Sequence, residues 1–183
     1  MLREYFSTRD LTFIAMVVAA ETAVTAISHL LAIPAVRALG LQMQVASAFF
    51  VGIVVAIGLA KVKKIGTLTL IGVGRGVIAG FVTPAVPTLF LALAGGAIFA
   101  DGVIKLLHGS FSRSIFVVLG IGLYRFGTAL IAMYMSLILG FPGAILSTYV
   151  IIAVSLLCAV LAAIGGYVGV KVVKELKRAG VME

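Results

Sequence analysis

The sequence predicts an all-α integral membrane protein, with six transmembrane helices and both termini on the cytoplasmic side. Three observations carry this. First, 63% of the 183 residues are hydrophobic and only 11% are charged, against roughly 45–50% and about 25% in an ordinary soluble domain. Second, tracts such as residues 49–60 contain no charge at all, which a water-soluble surface does not tolerate but hydrocarbon requires. Third, basic residues fall between the apolar runs rather than on one face, so the net charge of +8 reports topology and not nucleic-acid binding.

The chain length sets the count. A hydrocarbon core of about 30 Å takes roughly 20 residues per helix, so six spans consume most of the chain and leave no room for a large extramembrane domain. Residues 1–183 therefore form a single six-helix transmembrane domain. The first apolar run contains Glu21 and lacks a small-residue cleavage site, so it reads as a retained helix and not a signal peptide.

Helix 1 is expected over residues 11–33, with Thr8 or Asp10 as N-cap and Pro34 as its stop. Helix 2 covers 41–62. After the Lys63-Lys64 turn, helix 3 covers 66–82 and halts at the Thr83-Pro84-Ala85-Val86-Pro87 segment, because a residue before proline is pushed out of the helical region. Helix 4 takes 88–107 and helix 5 takes 114–139. Helix 6 begins after Phe141-Pro142-Gly143 and runs over 144–176, its end projecting into water because Lys171, Lys174, Lys177 and Arg178 do not belong in hydrocarbon.

Orientation follows from the basic residues. With the N-terminus inside, the cytoplasmic ends hold Arg3, Arg9, Lys61, Lys63, Lys64, Lys105, Arg113, Lys171, Lys174, Lys177 and Arg178, while the outer loops hold only Arg37. Of the 14 basic residues this leaves Arg75 and Arg125, both near helix centres. Counted from their helix starts, Glu21, Arg75 and Arg125 all lie roughly 14–15 Å deep at 1.5 Å per residue. A charge at that depth costs at least about 2.5–3.5 kcal/mol, so each should face the bundle interior and find a partner. Two guanidiniums against one carboxylate leave a positive excess that an anionic or zwitterionic ligand would complete. Asp101, nearer the inner surface, is expected to pair with Lys105 one turn away or with an arginine.

Helix 1 has two faces. Ala15, Ala19, Ala23 and Ala26 share one arc and form a small-xxx-small seam that admits a close helix neighbour, within the chain or from a partner. Glu21, Thr25, Ser28 and His29 share another and are suited to an interior cavity. On helix 3, Gly72, Gly74, Gly76 and Gly80 surround Arg75; without a P-loop lysine or a preceding strand they signal close packing rather than a phosphate cradle. Candidate ligand contacts are Glu21, His29, Arg75, Arg125, Gln44, Thr88, Tyr134 and Tyr149. Neither His29 nor His108 has a facing serine nucleophile, and Asp101 is the lone intramembrane aspartate, so no catalytic residue, metal site or enzyme activity is expected. Cys158, in an apolar run, is a packing residue.

Six helices in under 200 residues, both termini inside, and the Ala15-x-x-x-Ala19-x-x-x-Ala23 seam resemble the substrate-binding S component of an energy-coupling factor transporter. The resemblance implies a membrane subunit for uptake of a vitamin or related micronutrient, in the cell (plasma) membrane. It implies a transmembrane coupling subunit docked on Ala15, Ala19 and Ala23, and two cytoplasmic ATPase subunits that hydrolyse the ATP, with no cofactor held by this chain. The pocket would lie between helices 4 to 6, capped by the loops around Pro34–Gln44 and Thr83–Thr88. The alternative reading is a small self-sufficient oligomeric transporter or channel that uses the midplane charges as an ion or proton path.

Overall fold

The computed structural model describes residues 5–38, 43–82, 86–139 and 148–180. Among them the chain is entirely helical: α1 (Thr8–Ala38), α2 (Met43–Val62), α3 (Thr67–Val82), α4 (Val86–Leu106), α5 (Ser114–Ile138) and α6 (Thr148–Arg178). Four helices are long and apolar enough to cross a membrane, over Thr8–Ser28, Thr88–Leu106, Ser114–Ile138 and Thr148–Arg178, which makes this a membrane protein by length and composition. The apolar stretches of α2 and α3 are shorter, Ser47–Val62 and Thr67–Phe81.

Local chemistry explains the helix ends. Ser7, and not Thr8 or Asp10, caps α1: its hydroxyl accepts from the Asp10 amide at 3.1 Å, while its own amide donates to the Asp10 carboxylate at 3.0 Å. This reciprocal capping box satisfies two donors that the first turn leaves open. Lys64 donates to the same carboxylate at 2.8 Å and to the Tyr5 carbonyl at 2.6 Å, tying the start of α1 to the turn after α2. That turn passes through Lys63 with a positive φ of 56° and Gly66 at 93°. At the end of α4, His108 takes the left-handed conformation, and the Gly109 amide reaches back to the Ile104 carbonyl, a Schellman closure.

Two proline boundaries depart from the expectation, the end of α1 and the start of α4, which begins at Val86 and not at 88. Helix α1 does not stop before Pro34 but continues to Ala38. Proline removes one helical donor and crowds the preceding turn, yet in membrane helices the surrounding protein can compensate the freed groups. Pro87 falls at the second position of α4, where an amide would have no intrahelical partner anyway.

The helices close into a ring in the order α1, α3, α4, α5, α6, α2, with α2 also touching α5 across the interior. Small residues permit the closest approaches. A Cβ on Gly165 of α6 would collide with the Phe49 carbonyl oxygen on α2, and one on Gly72 of α3 would come within 2.6 Å of the Leu93 carbonyl oxygen on α4. Such backbone-to-backbone contact is how helices associate where lipid is as apolar as leucine. The core then fills with Val51, Val55, Leu59, Leu68, Ile71, Ile104, Ile121 and Tyr124, all fully buried.

Candidate functional site: a buried charge cluster

The inside of the ring is not wholly apolar. Glu21 on α1 is fully buried, as are Arg75 on α3 and Arg125 on α5 to within a few per cent. One carboxylate oxygen of Glu21, Oε1, accepts a short charged hydrogen bond from Arg75 Nη1 and a second from the Tyr124 hydroxyl at 3.3 Å. The other Arg75 nitrogen donates to the Thr25 hydroxyl at 2.7 Å, and that hydroxyl in turn donates to the Glu21 carbonyl at 2.8 Å. Thr25 sits one turn beyond Glu21 on the same face, so a single helix presents both acceptors to one guanidinium.

Arg125 sits in a different setting. It donates to Ser47 of α2 at 3.1 Å and is an electrostatic neighbour of Arg75, Tyr124 and Glu21. The cluster thus joins four helices and holds two guanidiniums against one carboxylate. Within it Glu21 Oε2 is buried and has no hydrogen-bond partner among the described residues. Buried polar groups in native proteins are normally satisfied, so this oxygen marks a place where a donor or a small polar molecule would be stabilised.

Among the described residues Asp101 takes no part in this cluster and pairs with neither Lys105 nor an arginine. Its carboxylate accepts from both the amide and the hydroxyl of Thr69, each at 2.7 Å. Thr69 lies in the first turn of α3, so Asp101 caps that helix from α4 and complements its positive end. Lys105, one turn further along α4, is exposed.

The other sequence candidates are dispersed. Thr88 and Tyr134 are half-buried, near the start of α4 and towards the end of α5. Tyr149 is 86% exposed and points away from the interior. The side chains of His29 and Gln44, and most of the segments expected to cap an outer pocket, lie outside the described residues. Sequence reading passed over Tyr124, whose hydroxyl bridges to Glu21; its place beside Arg125 in the middle of an apolar span was the available signal. Among the described residues no group of His, Cys, Asp and Glu is arranged to hold a metal, and Cys158 is a buried free thiol.

The alanines of helix 1 face outward. Ala15, Ala19, Ala23 and Ala26 are exposed, along with Met16, Ala20, Ile27 and Leu30, while Ile14, Val17, Val18 and Glu21 face the ring. Helix α1 touches chiefly α2 and α3, and its spanning segment is the least covered of the four.

Fold and site together define an all-helical membrane protein with a buried, positively biased polar cluster and one outward-facing small-residue helix surface. Comparison with family profiles, characterised proteins and solved structures finds no match.

Proposed function

We propose that this chain is a membrane-embedded substrate-binding subunit for uptake of a vitamin or related micronutrient, energised by a separate coupling subunit and two ATPase subunits. In this reading all six helices span the cell membrane and both termini are cytoplasmic. The observation that carries it is the outward-facing alanine surface of α1. A helix packed only within its own chain would turn its small residues toward its neighbours; here valine, isoleucine and glutamate point inward and the alanines point out. Side chains no larger than a methyl allow a partner helix to approach closely without a polar anchor. The buried Arg75, Arg125 and Glu21 supply the second half of the reading, a charge-biased interior suited to an anionic or zwitterionic solute.

The unpartnered Glu21 Oε2 favours a second reading, in which the isolated protein oligomerises and moves ions or protons through the cluster. One experiment separates them. The protein is co-expressed with candidate ATPase and coupling subunits, and purified through a tag on the ATPase. Co-purification of wild type, lost in Ala19→Leu with folding unchanged, supports the first reading. Equal recovery of the variant returns the alanines to lipid contact, and gradient-driven uptake by the lone protein in vesicles selects the second.

A further inference from the structure

Helix α6 has 31 residues, about 46 Å of helix, whereas the hydrocarbon core is about 30 Å thick. Its exposed side shows which part belongs in hydrocarbon. Tyr149 and Tyr167 are 86% and 54% exposed. Five full turns, about 27 Å, separate them, so they share one face of the helix. Between them on that face stand Leu156, Val160 and Ile164, each close to half exposed, while the opposite face is buried against the bundle through Ser155, Cys158, Ala162 and Gly166. Tyrosine is enriched at both membrane–water interfaces, and the spacing of this pair matches the thickness of the hydrocarbon between them.

We propose that the surface of α6 at Tyr167, Lys171 and Lys174 binds the headgroup of an anionic phospholipid, whose acyl chain lies along Ile164 and Val160. At 100° per residue the three headgroup-binding side chains fall within an arc of roughly 60° that continues the lipid-facing stripe. Lys171 begins about 6 Å beyond Tyr167 and Lys174 about 10 Å beyond it, at the depth of the headgroups. Lys171 Nζ lies 4.7 Å from the centre of the Tyr167 ring, so its ammonium leans back towards the hydrocarbon boundary. The ring attracts that cation without neutralising it. Both lysines are exposed, and among the described residues neither forms an ion pair with a carboxylate. Arg178 differs, being bonded to Glu175 at 2.7 Å, and Lys177 lies about 15 Å beyond Tyr167 and off the stripe. A phenol hydroxyl and two ammonium groups thus adjoin hydrocarbon-facing side chains, the complement of a phosphate joined to an acyl chain. An acidic protein surface would match the charges but not the apolar stripe continuous with them. The proposal concerns the lipid around the protein and holds under either transport reading.

The chain contains no tryptophan, so Tyr167→Trp introduces a single emitter that still offers Lys171 an aromatic face. The full-length variant is reconstituted into mixed vesicles of phosphatidylcholine and phosphatidylglycerol, in which one lipid or the other carries brominated acyl chains that quench tryptophan on contact. Brominated phosphatidylglycerol should quench beyond its share of the mixture. At low salt Lys171→Gln and Lys174→Gln should each lower that preference about fivefold, and the double variant should bring it close to parity. Both substitutions are on the exposed face, and the single variants carry the test should the double variant not fold. With the emitter placed instead by Tyr149→Trp, at the far end of the stripe, removing the lysines should change nothing. Equal quenching by the two brominated lipids at position 167, or a preference that persists in Lys171→Gln/Lys174→Gln, would overturn the proposal. Loss of the preference in inorganic phosphate, at an ionic strength where chloride preserves it, would overturn the lipid assignment in favour of a soluble anion.

Discussion

Glu21→Gln is the most informative single perturbation of the interior, because three consequences follow from one atom pair. It removes the charge that Arg75 is bonded to while keeping the side-chain shape and the Tyr124 hydroxyl contact possible. Arg75 is then left as an uncompensated cation in a buried site, and breaking a buried pair from one side costs about 3–5 kcal/mol. Arg75→Gln exposes the opposite fault, a buried carboxylate that keeps the Tyr124 hydroxyl and the nearby Arg125 charge but loses its hydrogen-bonded cation, with the Thr25 contact also lost. In the double variant Glu21→Gln/Arg75→Gln neither charge is stranded, so the sum of the single effects should exceed the measured double effect by about 0.5–3 kcal/mol, the range for residues in direct contact. Arg125→Gln behaves differently: it loses a bond to Ser47 but also removes a like charge beside Arg75, so its cost should stay nearer the 1–3 kcal/mol of an unsatisfied buried group. The assay is thermal unfolding in detergent, where about 2–4 °C per kcal/mol is expected for a chain of this size. The same samples are examined by native mass spectrometry for a retained small molecule, which Arg125→Gln should lose and the Glu21→Gln/Arg75→Gln double variant should lose only if Arg75 is a ligand contact. Strict additivity of Glu21→Gln and Arg75→Gln, or a larger cost for Arg125→Gln than for Arg75→Gln, would refute the assignment of Arg75 as the structural arginine.

Other consequences can be checked on the same samples. Asp101→Ala should destabilise by about 1–2 kcal/mol through loss of the α3 cap, whereas Lys105→Gln should change stability little, the reverse of what an Asp101–Lys105 pair would require. Gly165→Ala should cost about 1–3 kcal/mol by forcing α6 away from the Phe49 carbonyl, readable as a lower unfolding temperature; an unchanged one would mean that α2 and α6 are not in backbone contact. In a Cys158→Ser background, a cysteine replacing Lys64 should resist an impermeant external thiol reagent and one replacing Arg37 should react, and the opposite pattern would invert the topology.

Much of the interior was legible as depth. The positions of Glu21, Arg75 and Arg125 within their apolar runs place all three near mid-span by counting residues, and the high cost of an unpaired charge there demands that they turn inward. Azimuth was partly legible on helix 1, where the 100° step separates the alanine arc from the Glu21 and Thr25 arc. Partner choice was not. A local rule favoured Asp101 with Lys105 at i+4, but the open amide and hydroxyl of Thr69 on a neighbouring helix offered two hydrogen bonds in place of one exposed ion pair. Proline likewise predicted the end of α1 from chain-local sterics, whereas the helix continues to Ala38.

An all-helical membrane protein was already implied by composition, because the bilayer imposes its demand residue by residue: each stretch must be apolar and hydrogen-bonded within itself. Tertiary structure alone decided which arginine Glu21 holds, which helix Asp101 caps, and that the alanines of α1 face outward. Those outcomes depend on the order of helices around the ring and on the glycine contacts that bring α2 to α6 and α3 to α4. Depth is a property of one helix, but neighbourhood is a property of all six, set by backbone packing between segments far apart in the chain.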